Sequence, residues 1–343
     1  MRVLLLEENA VRKGGLHLLI QTSFHKLVRG GLLAAALTLP LTTAGYADVQ
    51  NVQIIAAAGP GGGYDQLARG LQTVLEAEKL AADVQVINVP GAGGTIGLAQ
   101  FVKDTDAKDK ALTVGLGMIG AIKVNNSPVS LDQVTPLARM TGEYQPLIVS
   151  ANSPIKSLDD LKAAYLKDPG AVSWGGFALG SPDHLISAFT VKAFGGDLSK
   201  MNYVVTGAGS EMLAQILGGH ITVATGGLGE FADLIKTGQL RALAISSPER
   251  LPGIDIPTFK EQGYDVELVN WRGFVANTAA TPEDQKAFDE TIAKAVASET
   301  WKKMVKERSW VDMYLNAADF KAFLDVERPR LEAIYGELNL AKK

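Results

Sequence analysis

Four times in this chain, a segment of β-forming residues leads through a glycine-rich loop directly into a helical pattern. A loop of this kind brings unpaired backbone N–H groups and the positive end of a helix dipole to one point. Such loops suit an anion that is held without being transformed. The four loops are residues 59–65, 90–95, 175–184 and 206–211.

Strand and helix patterns alternate through residues 48–343, which predicts an α/β fold with mostly parallel sheets. Because the loops fall into two separated pairs, we expect two similar lobes that share a cleft at the carboxyl ends of their strands. The first lobe would comprise residues 48–146 and 271–343, and the second residues 147–270. The chain would cross between them at 147–150 and 266–273. Helices are expected over residues 282–298, 299–308 and 317–338.

The N-terminus is typical of a secretory signal peptide. Lys26 and Arg29 precede an apolar stretch over residues 31–41, and Gly45-Tyr46-Ala47 is a small-x-small cleavage pattern. The apolar stretch is too short to span a bilayer and contains Pro40, which argues against a membrane anchor. We therefore expect residues 1–47 to be removed and the mature protein to reside in the periplasm, with no direct membrane insertion.

Composition narrows the function classes further. The chain contains no cysteine, which excludes disulfides, thiolate metal sites and cysteine nucleophiles. Without residues 1–47 the net charge is −7, which argues against nucleic acid as a partner. The G-x-G-x-x-G spacing at residues 115–120 is too short and common to indicate a dinucleotide site. No cofactor and no metal are expected, and the protein is expected to be a monomer.

The candidate ligand-binding residues are the loop positions that can offer backbone N–H groups or hydroxyls to an anion. No lysine or arginine lies in a glycine core, so neutral donors would do most of the holding. These candidates are Gly61, Gly62, Gly63, Tyr64, Gly91, Ala92, Gly93, Gly94, Thr95, Ser181, His184, Thr206, Gly207, Ala208, Gly209 and Ser210.

Several side chains near these loops have two interpretations. Tyr64 could donate its hydroxyl to a ligand or pack its ring, and His184 could bind a ligand or be satisfied by backbone on a helix face. For Asp65 we expect a capping role at the start of the helix and an ion pair with Arg69, four residues later. Arg272, at the second crossover, could reach the cleft, but we interpret it as a solvated hinge arginine.

Segments throughout the chain resemble the Bug family, the extracytoplasmic solute receptors of tripartite tricarboxylate transporters. The resemblance covers nearly all of residues 50–340. It is carried by Gly59-Pro60-Gly61-Gly62-Gly63-Tyr64-Asp65, Asn88-Val89-Pro90-Gly91-Ala92-Gly93-Gly94-Thr95, Gly180-Ser181-Pro182-Asp183-His184, Pro257-Thr258-Phe259 and Trp271-Arg272-Gly273.

The resemblance implies a two-lobed periplasmic binding protein fold of the type II, Venus flytrap kind. It also implies capture of a small organic carboxylate for delivery to integral-membrane transporter subunits. Tyr64 resembles the tricarboxylate branch, so a di- or tricarboxylate such as citrate is favoured.

Two alternatives remain at this point. The receptor could instead feed a sensor kinase. From another class, a periplasmic serine hydrolase could use Ser181 or Ser210 with His184 or His220, although neither serine lies in a G-x-S-x-G elbow.

Overall fold

The computed structural model describes residues 51–106, 108–206 and 209–338; the expected signal peptide lies outside them. The strands are β1 Asn51–Ala56, β2 Asp83–Asn88, β3 Lys110–Gly115, β4 Val134–Glu143, β5 Pro146–Ser150, β6 Ser173–Gly176, β7 Asn202–Val205, β8 Val223–Thr225, β9 Leu240–Ile245, β10 Asn270–Asn277 and β11 Val311–Leu315. The helices are α1 Gly63–Ala77, α2 Thr95–Lys103, α3 Leu116–Val124, α4 Leu158–Lys167, α5 Pro182–Ala193, α6 Gly209–Leu217, α7 Leu228–Lys236, α8 Pro282–Ala297, α9 Glu299–Glu307 and α10 Ala317–Glu337.

The strands form two sheets, and the predicted two-lobed α/β fold is confirmed. The first sheet has the order β11-β4-β10-β3-β1-β2 and the second the order β7-β6-β8-β5-β9. The three expected C-terminal helices are present as α8, α9 and α10. Among the described residues, none of the helices combines the length and hydropathy that a membrane span requires.

Each sheet is mixed, which corrects the expectation of mostly parallel sheets. In the first sheet β1 pairs in parallel with β2 and β3, but β10 pairs antiparallel with β3 and β4. In the second sheet β5 pairs antiparallel with β8 and β9. The reason is the connection between lobes: β4 leads out of the first sheet and β10 returns to it beside β4, so the two run in opposite directions.

The passage between the sheets is short in one direction and long in the other. After β4, the chain reaches β5 of the second sheet through Tyr144 and Gln145 alone. After β9, residues 246–269 lead back to β10 in the first sheet. Residues 147–150 therefore lie inside the second sheet, and the crossing itself precedes them.

The first glycine loop leads directly into α1, an amphipathic helix that anchors the chain. In α1 the residues Leu67, Leu71, Val74 and Leu75 are buried at helical spacing. Asp65 occupies the first turn, where a carboxylate complements the helix dipole. This anchoring leaves the start of α1 directed at the space beyond the carboxyl end of β1.

Candidate ligand-binding site

A cavity of about 720 Å³ opens where loops from the two sheets face each other. It lies beyond the carboxyl ends of the parallel strands, as expected for an open α/β fold. We call the side contributed by the first sheet and its loops the first wall: Ala57, Ala58, Gly63, Tyr64, Gly91, Ala92, Gly93, Gly94, Gly117, Ala121, Val124, Asn125, Asn270 and Arg272. We call the side contributed by the second sheet the second wall: Phe177, Ala178, Leu179, Ser181, Pro182 and Val205.

The loop after β2 is a tight turn that only small residues can form. Gly93 and Gly94 have φ angles of 64° and 96°, in the left-handed region. A Cβ on Gly93 would collide with Cβ of Ala121, and one on Gly94 would lie 2.8 Å from Cε of Met118. The turn therefore brings backbone, without side chains, against α3 and the cavity.

A polar network braces this turn against the first glycine loop. Asn88 donates from Nδ2 to the carbonyl of Ala58 (3.0 Å) and to Oδ1 of Asp65 (2.8 Å). Asp65 also accepts from the N–H of Gly61 (2.8 Å) and pairs with Arg69 (2.9 Å). Burial raises the pKa of Asp65, but the donors from Gly61, Asn88 and Arg69 outweigh it and hold that pKa below its ordinary value. The expected ion pair of Asp65 with Arg69 is present. The expected capping role is not made in full, because the carboxylate accepts from Gly61, one residue before the N-cap Gly62.

Arg272 lies in the first wall, so its interpretation as a solvated arginine was wrong. Its side chain is only 11% exposed, and its Nη1 lies 2.6 Å from Oε2 of Glu143. The two residues are diagonal neighbours on the antiparallel strands β10 and β4. The guanidinium also lies against the start of α1, since a Cβ on Gly63 would lie 2.6 Å from its Nη2. A cation and a helix N-terminus therefore meet at one end of the cavity.

Tyr64 contributes its ring to the cavity lining. Burial raises the pKa of its hydroxyl to about 12, which keeps the group neutral, and the hydroxyl oxygen accepts from the backbone N–H of Met118. The side chain of Tyr64 also packs against the hydrophobic core, in agreement with one of its two interpretations.

The loop of the second wall is held by buried groups at the start of α5. Ser181 caps the helix by accepting from the N–H of His184 (3.3 Å). Asp183 accepts from the N–H of Phe177 (3.0 Å) and from Nε2 of Gln145 (2.5 Å). Burial raises the pKa of Asp183 to about 6, against the effect of these donors. The carboxyl group therefore serves the loop and does not face a ligand from the lining.

His184 also supports the loop of the second wall. Its Nδ1 accepts from the N–H of Gly180 (3.1 Å), and its ring lies 4.2 Å from that of Tyr203. Burial lowers the pKa of His184 to about 4, so the ring is neutral at neutral pH. Its ring is engaged with backbone, and it is not among the lining residues.

The structure thus divides the predicted site residues. The cavity lining includes Gly63, Tyr64, Gly91, Ala92, Gly93, Gly94 and Ser181.

Two of the other candidates have hydroxyl groups that are bonded within the protein. The hydroxyl of Thr95 donates to the carbonyl of Ala92 (2.9 Å), and that of Thr206 donates to the carbonyl of Gly176 (3.3 Å). Gly61 and Gly62 belong to the bend before α1, and Gly209 and an exposed Ser210 begin α6. Gly207 and Ala208 lie outside the described residues.

Known proteins that resemble this chain identify its family. The sequence profile of the "Tripartite tricarboxylate transporter family receptor" family matches residues 67–340. The chain belongs to this family. Protein BugT of Bordetella pertussis is 28% identical over 279 residues, covering 78% of this chain and 82% of BugT.

Solved structures support the family's fold. A protein of R. palustris with adipate superposes with a TM-score of 0.73 at 20% identity, covering 84% of this chain and 97% of that one. MatC from Rhodopseudomonas palustris with bound malate gives a TM-score of 0.66 at 17% identity, covering 86% and 99%. As a member of this family, the chain is a periplasmic solute-binding receptor and not an enzyme.

The geometry around Ser181 also argues against the serine hydrolase alternative. Ser181 accepts from the main-chain N–H of His184, while the ring of that histidine accepts at Nδ1 from Gly180. The serine is therefore a helix cap and not a nucleophile activated by an imidazole.

Proposed function

We propose that this receptor captures a small organic carboxylate in the cavity between its walls and delivers it to the membrane subunits of a tripartite tricarboxylate transporter. The observation that carries the proposal is Arg272, a cation in the cavity lining beside the N-terminus of α1. The adipate and malate of two structural neighbours are bound by those proteins, and they support the same ligand class here.

The first wall supplies the chemistry that a carboxylate requires. The first N–H groups of α1 have no intrahelical acceptor, and the helix dipole favours an anion there. A charge-assisted hydrogen bond from a guanidinium contributes about 1.5–3 kcal/mol, roughly twice a neutral one. Glu143 holds the guanidinium in place through Nη1. The other nitrogens of Arg272 remain as donors for a ligand oxygen.

Closure of the lobes would complete the site. The ligand binds first to the loops of the first wall, and the second wall then covers it as the segments joining the sheets bend. The closed form presents the surface that the membrane subunits recognise. We further propose cleavage after Ala47, a monomeric receptor, and lobes of residues 48–146 with 271–343 and residues 147–270.

The ligand itself is a separate question. The sequence favours a di- or tricarboxylate such as citrate, and citrate therefore belongs in any panel. All these candidate ligands share at least one carboxylate, and we propose that one carboxylate binds at Arg272.

Isothermal titration of the mature protein with acetate, hexanoate, benzoate, succinate, adipate, malate and citrate tests the proposal. At least one of them should bind with a Kd in about the micromolar range. Arg272→Gln should weaken that ligand about 30-fold, because a charge-assisted hydrogen bond is lost.

The matched control is Arg250→Gln, at an exposed arginine that pairs with Glu261 and Asp255 outside the cavity lining. This variant should bind as the wild type does. Absence of binding by every carboxylate, or full affinity in Arg272→Gln, would count against the proposed function.

A further inference from the structure

We infer that the preferred ligand is a carboxylate with one charged end and a bulky apolar body, aromatic or aliphatic, and not a compact polycarboxylate. This inference rests on the proposed function and specifies its ligand. Two independent features of the cavity carry it: the apolar character of the second wall and the limited positive charge of the lining.

The second wall offers apolar surface that remains open to solvent. Leu179 is 39% exposed and Val205 is 51% exposed, and both line the cavity. Phe177 and Pro182 line it beside them. Apolar surface left exposed in a cleft is typical of a binding surface. A ligand that covers these side chains gains the free energy of removing them from water.

The first wall adds apolar side chains of its own. Ala58, Ala121 and Val124 line the cavity on this side. The cavity volume of about 720 Å³ lies within the range of pockets that bury ligands with a substantial apolar body. The body of the ligand therefore has apolar contacts available on both sides.

Charge limits the number of carboxylates that the cavity can hold. Among the lining residues that the structure describes, Arg272 is the only one with a charged side chain. Its charge is already matched by Glu143 at 2.6 Å. Beside this ion pair, Arg272 and the N–H groups at the start of α1 can together support one carboxylate of a ligand. A second or third carboxylate would lie against apolar side chains, where a charged group without a partner is costly.

The two features fix an orientation. The carboxylate binds at Arg272 and the start of α1, and the apolar body extends along Leu179 and Val205. The site would then select by apolar contact area at one end and by charge at the other.

Titration calorimetry with a graded set of ligands tests the inference. From acetate to hexanoate, each added methylene should tighten the Kd by about threefold. Hexanoate or benzoate should bind more tightly than citrate and succinate. The heat-capacity change of binding should become more negative with chain length, because more apolar surface is buried.

Two variants remove the apolar contacts without touching the charged end. Leu179→Ser and Val205→Ser should each weaken hexanoate by about three- to tenfold and should change acetate by less than about twofold. Val326→Ser is the control, because Val326 is a 73% exposed valine on α10 outside the cavity lining. It should leave all affinities unchanged.

The outcomes separate the two proposals. If citrate binds more tightly than every apolar monocarboxylate, or if the two serine variants leave hexanoate unaffected, the inference is overturned and the carboxylate receptor stands. If no carboxylate binds at all, the proposed function fails as well.

Discussion

The two walls of the cavity are built and supported in different ways. The first wall presents backbone turns and one arginine, and its loops are tied together by the charged network of Asn88, Asp65 and Arg69. The second wall presents apolar side chains, and its loop rests on a neutral histidine and a buried carboxyl group. The glycine-rich pattern is similar on both sides, yet one wall is suited to hold charge and the other to cover an apolar surface.

This difference makes the two walls respond differently to pH. His184 has its pKa lowered by burial, whereas Asp65 has its pKa lowered by donors despite burial. A base with a depressed pKa loses its contribution to stability as the pH falls from its unfolded value toward the folded one. An acid with a depressed pKa keeps its contribution until the pH falls to its unfolded pKa, which for aspartate is about 4. The contribution of His184 should therefore be lost in mild acid, at a higher pH than that of Asp65.

The largest expected effect is that of His184→Phe, which keeps the ring but removes the acceptor for the buried N–H of Gly180. At pH 7.5 the free energy of unfolding should fall by about 2 kcal/mol, since a buried donor loses its partner. Between pH 6.5 and 5 the wild type must protonate this histidine on unfolding, while the variant cannot. The difference between them should therefore shrink by on the order of 2 kcal/mol.

Urea unfolding at several pH values measures that difference. His220→Phe makes the same substitution at an exposed histidine and serves as the control. Asp183, whose pKa is raised to about 6, favours the folded state as the pH falls, but it is present in all three proteins and cancels from the comparison. A difference that stays constant from pH 7.5 to 5 would contradict the role assigned to His184.

The corresponding change in the first wall is Asn88→Ala. It removes the amide that joins Ala58 to Asp65, and the free energy of unfolding should fall by about 2 kcal/mol. Unlike the histidine effect, this loss should be the same at pH 7.5 and pH 5. Gln85→Ala, at an exposed residue of the same strand, should change stability by less than about 0.5 kcal/mol. A strong pH dependence above pH 5 would show that the two walls do not differ in this way.

A smaller and more selective effect is expected from Gly63→Ala. The added methyl group would occupy the position 2.6 Å from Nη2 of Arg272, so the guanidinium must move away from Glu143 and the cavity. Carboxylate affinity should fall about tenfold, with little loss of stability because the helical position suits alanine. Gly59→Ala is the control, since a Cβ there meets nothing within 4 Å. Equal carboxylate affinities in the two variants would show that Arg272 does not contribute to binding.

The sequence was informative where a structural signal is local. Glycine loops after β strands, the burial pattern of α1 and the helices near the C-terminus all depend on neighbouring residues, and they were predicted within a few positions. The placement of Arg272 was not, because it requires the register between β10 and β4. Strand β4 contains Pro136 and two charged residues, Arg139 and Glu143, which obscure the alternation typical of a strand.

Side-chain roles were hardest to predict where a hydroxyl or imidazole can be satisfied by nearby backbone. Thr95 and Thr206 carry the donors expected of a ligand site, but both bond carbonyls of the protein. Thr95 bonds Ala92, three residues before it, whereas only the tertiary fold brings Gly176 close to Thr206. His184 is fixed by a bend four residues before it and by the ring of Tyr203. A residue type at a helix start therefore indicates a polar role and leaves open whether the partner is a ligand or the protein.

The smallest expected effect concerns the contact that fixes the second wall to the last helix. Tyr335 on α10 donates its hydroxyl to the carbonyl of Gly180 (2.9 Å), the residue whose N–H group donates to His184. Tyr335→Phe should lower the free energy of unfolding by about 1 kcal/mol, the usual value of one hydrogen bond. Because this bond involves neither histidine nor carboxylate, the loss should not vary between pH 7.5 and 5. Combined with His184→Phe, a loss larger than the sum of the two would show that both bonds act on one bend, whereas strict additivity would show that they support it independently.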